Sequence, residues 1–255
     1  MKKLIALLLV LTLAATFVAC GNQPAADPTT DPTDGTTEAT EEATTGNEEV
    51  AVMTYAEFMA AETDSKVCIE SNIQANQAWW DDNGQGKVTL YLQDAEGAYF
   101  AYEVACTEEE SAKLIPGTKV RITGDKAVWS GEIEIMNGTI EFLEGDTFTA
   151  EAKDVTELLG TEALEAEMNK LVAIKGLTFK ELSYKDSEWD KDIYVTFTLG
   201  ENEYSFCVEN YLTGPDSDLY KAVEALQAGD VVDVTGFLYW YEGPNTHITA
   251  IEKAA

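Results

Sequence analysis

Base is the scarcest ingredient of this chain. Its 255 residues hold 16 lysines and arginines against 47 acids, a formal net charge of −31. There is one arginine, Arg121, and one histidine, His247. Nucleic-acid binding rests on Lys and Arg neutralising phosphates, so the expectation from charge is a protein with no nucleic-acid partner. Adhesion to anionic lipid through charge is disfavoured on the same ground. No Gly-x-Ser-x-Gly elbow, His-Glu-x-x-His helix or phosphate loop occurs, and one histidine leaves little for acid–base work. The acids show no EF-hand spacing, so no metal and no cofactor is expected. The reading is a non-enzyme, with His247 in a structural role. Cysteines number four. With Cys20 assigned to the leader, Cys68, Cys106 and Cys207 remain, and an odd number cannot complete an intramolecular disulfide framework. Strand parity points Cys68 outward and Cys106 inward, so unpaired thiols are expected.

What is there begins with a leader. Lys2 and Lys3 precede an apolar run from Leu4 to Val18 that ends in Ala19-Cys20, the layout of a secretory signal. The run is short for a membrane span of about 20 residues. Phe17-Val18-Ala19-Cys20 resembles the bacterial lipobox, in which the cysteine is lipidated and becomes the new N-terminus; Phe17 departs from the usual Leu or Val. The resemblance implies a signal peptide over 1–20, lipidation at Cys20, and attachment to the outer face of the bacterial cytoplasmic membrane. Residues 21–50 are rich in Thr, Pro, Asp and Glu, with no aromatic residue and no base. So polar and like-charged a segment is expected to stay disordered and extended, as a tether. Setting aside two lysines in the leader and eight acids in the tether leaves 14 bases and 39 acids, net −25.

The remainder is duplicated. Leu114, Gly117, Val120, Ile122, Gly124 and Gly131 recur 112 residues later as Leu226, Gly229, Val232, Val234, Gly236 and Gly243. The first copy opens with a capping-box signature, Thr54 with Glu57. Alternating stripes follow at Val67/Ile69/Ser71/Ile73, at Val88/Leu90/Leu92 and at Phe100/Tyr102/Val104, each the period-2 sign of a half-buried strand. Trp79 to Gly84 reads as a loop, Glu108 to Leu114 as a short helix, and Ile133 and Ile135 begin a fifth strand. In the second copy Asp154 to Leu171 reads as a helix bent near Gly160. Val172/Ile174, Ile193/Val195/Phe197 and Tyr204/Phe206/Val208 repeat the stripes, and Asp216 to Gln227 reads as a longer helix. The assignment is two domains, 51–148 and 149–255, within the usual size range.

Leu-x-x-Gly-x-x-Val-x-Ile-x-Gly and its second copy resemble OB-fold modules of secreted bacterial proteins. With Gly97-Ala98-Tyr99-Phe100, Trp129-Ser130-Gly131-Glu132 and Gly236-Phe237-Leu238-Tyr239-Trp240-Tyr241, the chain resembles tandem OB-fold surface lipoproteins of Gram-positive anaerobes, a group with no activity to carry over. The fold class expected is mainly β, two five-stranded OB-like barrels with short helices. An OB barrel presents the outer face of strands two and three, with two flanking loops, to ligands. That marks Trp79 and Trp80 in one loop, Trp129 in another, and Tyr239, Trp240 and Tyr241 in the equivalent loop of the second copy. Tyr91, Gln93 and Glu103 face outward by parity. The functional expectation is a non-catalytic binding protein exposed outside the cell, its ligand a glycan or a peptide or surface protein. A structural or assembly protein is the alternative, and an enzyme the third reading.

Overall fold

In the computed structural model, which describes residues 50–254, two six-stranded sheets follow one another along the chain. The leader, with Cys20, and all of the tether but Val50 lie outside the described residues. The first sheet uses β1 (Lys66–Asn76), β2 (Trp80–Asp82), β3 (Gln85–Gln93), β4 (Ala98–Ala105), β5 (Lys119–Trp129) and β6 (Glu132–Phe142). Its order is β1-β5-β6-β4-β3-β2, and β1 also pairs with β3, which closes a barrel. All neighbours are antiparallel except β4 with β6. The second sheet uses β7 (Lys153–Asp154), β8 (Leu171–Tyr184), β9 (Ile193–Leu199), β10 (Asn202–Val208), β11 (Val231–Phe237) and β12 (His247–Lys253). Here β8 pairs with both β9 and β11, and β10 runs parallel to β12. Dropping the short β2 and β7, both sheets share one five-strand order with one parallel closure. That is the OB arrangement, and the chain is mainly β with OB-like barrels.

Each barrel buries its own apolar stripe. Val67, Ile69, Val88, Leu90, Val120 and Ile122 are fully buried in the first core. Val172, Ile174, Val195, Phe197, Val232 and Val234 fill the second. Helix α1 (Tyr55–Ala60) starts at Thr54, whose side chain accepts from the Glu57 N–H while the Glu57 carboxylate accepts from the Thr54 N–H. Its other end is held by Lys126, whose buried ammonium donates to the carbonyls of Phe58, Met59 and Ala61 at 2.8–2.9 Å. A cation on the terminal carbonyls both satisfies them and complements the helix dipole. Helix α2 (Glu108–Ser111) repeats the capping box with Thr107 and Glu110.

Four local expectations change. Asn83 and Gly84 both adopt positive φ, the backbone of a type I′ turn, so β2 and β3 form a hairpin where a loop was read. In β4 the inward residues are Tyr99, Ala101 and Val104, not Phe100 and Tyr102. The cause is a β-bulge: Val88 faces Val104 but Leu90 faces Ala101, so Tyr102 and Glu103 together oppose Thr89, and Glu103 has φ 52°. One extra residue turns the preceding side chains to the other face, putting Phe100 and Tyr102 outside the barrel. The stretch from Asp154 to Leu171 is no α-helix but two 3-10 turns, Thr156–Leu158 and Glu162–Glu167, before β8. Gly160, at φ 81°, separates them, and Val155, Leu159 and Leu164 are buried in the second core. The longer helix of the second copy shortens to α4 (Asp218–Glu224), preceded by α3 (Asn210–Thr213). Cys68, Cys106 and Cys207 are buried free thiols.

Candidate functional site

The outer face of β3 and β4, where the ligand surface was expected, meets the second barrel. A third apolar cluster joins Tyr91 and Phe100 of one barrel to Phe237 of the other, with Ala75, Leu171, Leu212 and Tyr239 around them. Tyr91 stacks on Phe237 with ring centroids 4.6 Å apart. Backbone and side chains sew the margins: the Ala78 N–H donates to the Tyr211 carbonyl, the Leu171 N–H to Gln93 Oε1 and the Glu242 N–H to the Ser130 carbonyl. Trp240 lies over Gly131 so closely that a Cβ there would be 2.7 Å from its ring.

Between the barrels this seam opens into a cleft of about 1260 Å³, somewhat larger than the usual range for small-molecule sites. The first barrel lines it with Trp80, Phe100, Tyr102, Trp129 and Glu134, and the second with Tyr194, Tyr204, Tyr211, Tyr239 and Tyr241. Of the residues marked in the sequence, Trp80, Glu103, Trp129, Tyr239 and Tyr241 reach this cleft. Trp129 is 60 % exposed and Tyr241 49 %. The other three are elsewhere. Trp79 donates its indole N–H to the Cys106 carbonyl at 2.8 Å, away from the cleft. Tyr91 is 1 % exposed; it does point out of its barrel, but into the seam. Trp240 packs its ring on the second core. None of these three lines the cleft.

Acids with few partners give the cleft its charge. Glu134 on β6 is 5 % exposed, and burial alone pushes its carboxyl up to about 7. It makes no hydrogen bond or ion pair among the described residues, whereas Glu103 is paired with Lys87 at 2.8 Å. Glu209 caps α3 by accepting from the Tyr211 and Leu212 N–H groups; burial, with Asp192 nearby, raises it to about 7. Asp192 pairs with Lys185 at 2.9 Å. At the back wall the Tyr91 phenol lies 2.6 Å from His247 Nδ1, with Gln77 donating to the phenol oxygen. Burial lowers the His247 ring to about 3, so the ring is neutral. Tyr239 stacks on that ring at 4.3 Å. Among the described residues no group of three or more His, Cys, Asp or Glu side chains converges to hold a metal. The bulge hid Phe100 and Tyr102 from sequence reasoning, and nothing in the local pattern of β6 marks Glu134.

No protein-family model matches the chain, and no curated protein sequence does. Solved structures do. A murine DNA-binding protein bound to double-stranded DNA is 12 % identical over 74 % of this chain and 96 % of its own, with a TM-score of 0.37. A replication protein A heterotrimer bound to single-stranded DNA is 11 % identical over 75 % of this chain and 51 % of its own, TM-score 0.32. The single-stranded DNA-binding protein of Thermus aquaticus is 14 % identical over 76 % and 95 %, TM-score 0.26. At these identities the likeness is one of fold alone. It nonetheless corrects two expectations. A module that binds glycan, peptide or surface protein and has no nucleic-acid partner conflicts with these three DNA-binding neighbours, and neither that ligand nor that exclusion is carried forward.

Proposed function

We propose that the chain binds a small organic molecule in the cleft between its barrels. The supporting observation is the convergence of indole and phenol rings from both barrels on one partly enclosed space, lined among others by Phe100, Tyr102 and Tyr239. Flat rings supply large contact area at little rotamer cost, and phenol hydroxyls add polar handles. We read the site as one of binding rather than catalysis, since its one imidazole is neutral, buried and committed to Tyr91. We further propose that the chain is exported and held at the outer face of the cytoplasmic membrane by lipid on Cys20, on the strength of the leader sequence. Membrane fractionation of wild type and Cys20→Ser, with fatty-acid labelling, checks the anchor.

The cleft is tested by titrating the intrinsic tryptophan fluorescence with neutral, cationic and anionic aromatic molecules, and with a single-stranded oligonucleotide. Saturable binding of at least one small molecule is expected, weakened tenfold or more (about 1.4 kcal/mol) in Tyr239→Ala. If only the oligonucleotide binds, or nothing does, the reading is wrong.

A further inference from the structure

We propose that this cleft holds a seat for an alkylated ammonium group, with Glu134 as its counter-charge and Phe100, Tyr102 and Tyr239 as its walls. The inference rests on the cleft reading and names the chemistry of the ligand. Glu134 sits directly across the parallel β4–β6 pair from Phe100. The Phe100 and Tyr102 rings lie 6.5 Å apart at 24°. Phe100 and Tyr239 lie 5.1 Å apart at 64°, so the rings form walls of two different orientations. Burial first, then Glu103 at Tyr102 and Glu132 at Tyr239, and after these Glu134, disfavour ionisation of both phenols.

A buried ionised carboxylate without a partner is costly, and proteins normally pair it or leave it protonated. Glu103, which also lines the cleft, is neutralised by Lys87 at 2.8 Å. Glu134 has no such partner among the described residues, and it lines the cleft. The walls narrow the choice of cation. Ring faces attract positive charge through their quadrupole but accept no strong hydrogen bonds. A primary ammonium brings three N–H donors that need acceptors. An alkylated head brings charge and apolar methyl surface, which ring faces and one carboxylate match.

The probe is choline, set against its neutral carbon isostere 3,3-dimethyl-1-butanol. Binding is followed by intrinsic tryptophan fluorescence and by the choline N-methyl proton resonance, which ring faces shift upfield. Choline is expected to bind at least tenfold more tightly than the isostere, and Glu134→Gln to lose roughly that factor. Gln keeps the shape of Glu and removes a buried charge, so folding is retained. Tyr102→Leu, at a residue 37 % exposed, is the second variant, and should weaken binding and remove most of the upfield shift. If the isostere binds as well as choline, or Glu134→Gln changes nothing, the charged seat is wrong while the cleft reading stands. If neither probe moves either signal, the seat is wrong; the broader panel of aromatic molecules then decides separately whether the cleft binds anything.

Discussion

Glu132 sets the acid–base behaviour of the seam. It is fully buried; one oxygen accepts from the Trp240 N–H at 2.8 Å and the other has no hydrogen-bond partner. Burial, with Glu134 adding to it, outweighs the lowering by the Asn169 amide and the Trp240 N–H and raises its carboxyl from 4.5 to about 8. Between those values the folded chain keeps a proton that the unfolded chain has lost. Stability therefore falls as pH rises through this window and levels off above it, by up to about 1.4 kcal/mol per pH unit from this group. Glu132→Gln removes the effect. Urea midpoints should be alike for the two proteins at pH 5 and higher for the variant at pH 8; equal midpoints at both would show the carboxyl is not held protonated. Nothing in the sequence distinguishes Glu132 from the other acids, because its environment comes from Trp240, 108 residues away.

At the scale of elements, the duplicated motif says more than periodicity does. Gly229 adopts φ 95° in a turn, with open space around it. Gly236 lies at a register shift of β11, where a Cβ would come 2.3 Å from the His247 carbonyl oxygen. One glycine is there for its backbone angle and the other for close approach of strands. Gly229→Ala should cost about 1 kcal/mol through strain. Gly236→Ala should cost more, about 2–3 kcal/mol, because backbone must move. Chemical denaturation of both variants would rank them, and a reversed order would contradict these roles. The stripes of β1, β3, β5 and their copies were legible, since each strand keeps its period of two along its buried face. The outer face of β4 was not, because a single bulge residue, Glu103, reverses parity without leaving a turn signal in the sequence.

Across the whole molecule, the seam makes the barrels depend on each other. Tyr91, Phe100 and Phe237 are each at most 3 % exposed, although none of them belongs to either barrel core. Calorimetry is expected to show one transition for residues 50–254 and two for Phe237→Ala, which removes the ring stacked on Tyr91. Two transitions in the wild type would mean the seam contributes little. Alternation, capping boxes and the 112-residue repeat were enough to determine two small antiparallel barrels, because those signals depend only on neighbours a few residues apart or on one strand's own two faces; the OB assignment came from the resemblance carried by Leu114 to Gly124 and its second copy. Strand parity placed Tyr91 correctly on the outside of its barrel. Whether that outside meets water or a second barrel is settled by side chains far along the chain, and this decided which aromatics are structural, which line the cleft, and why Glu134 faces it alone.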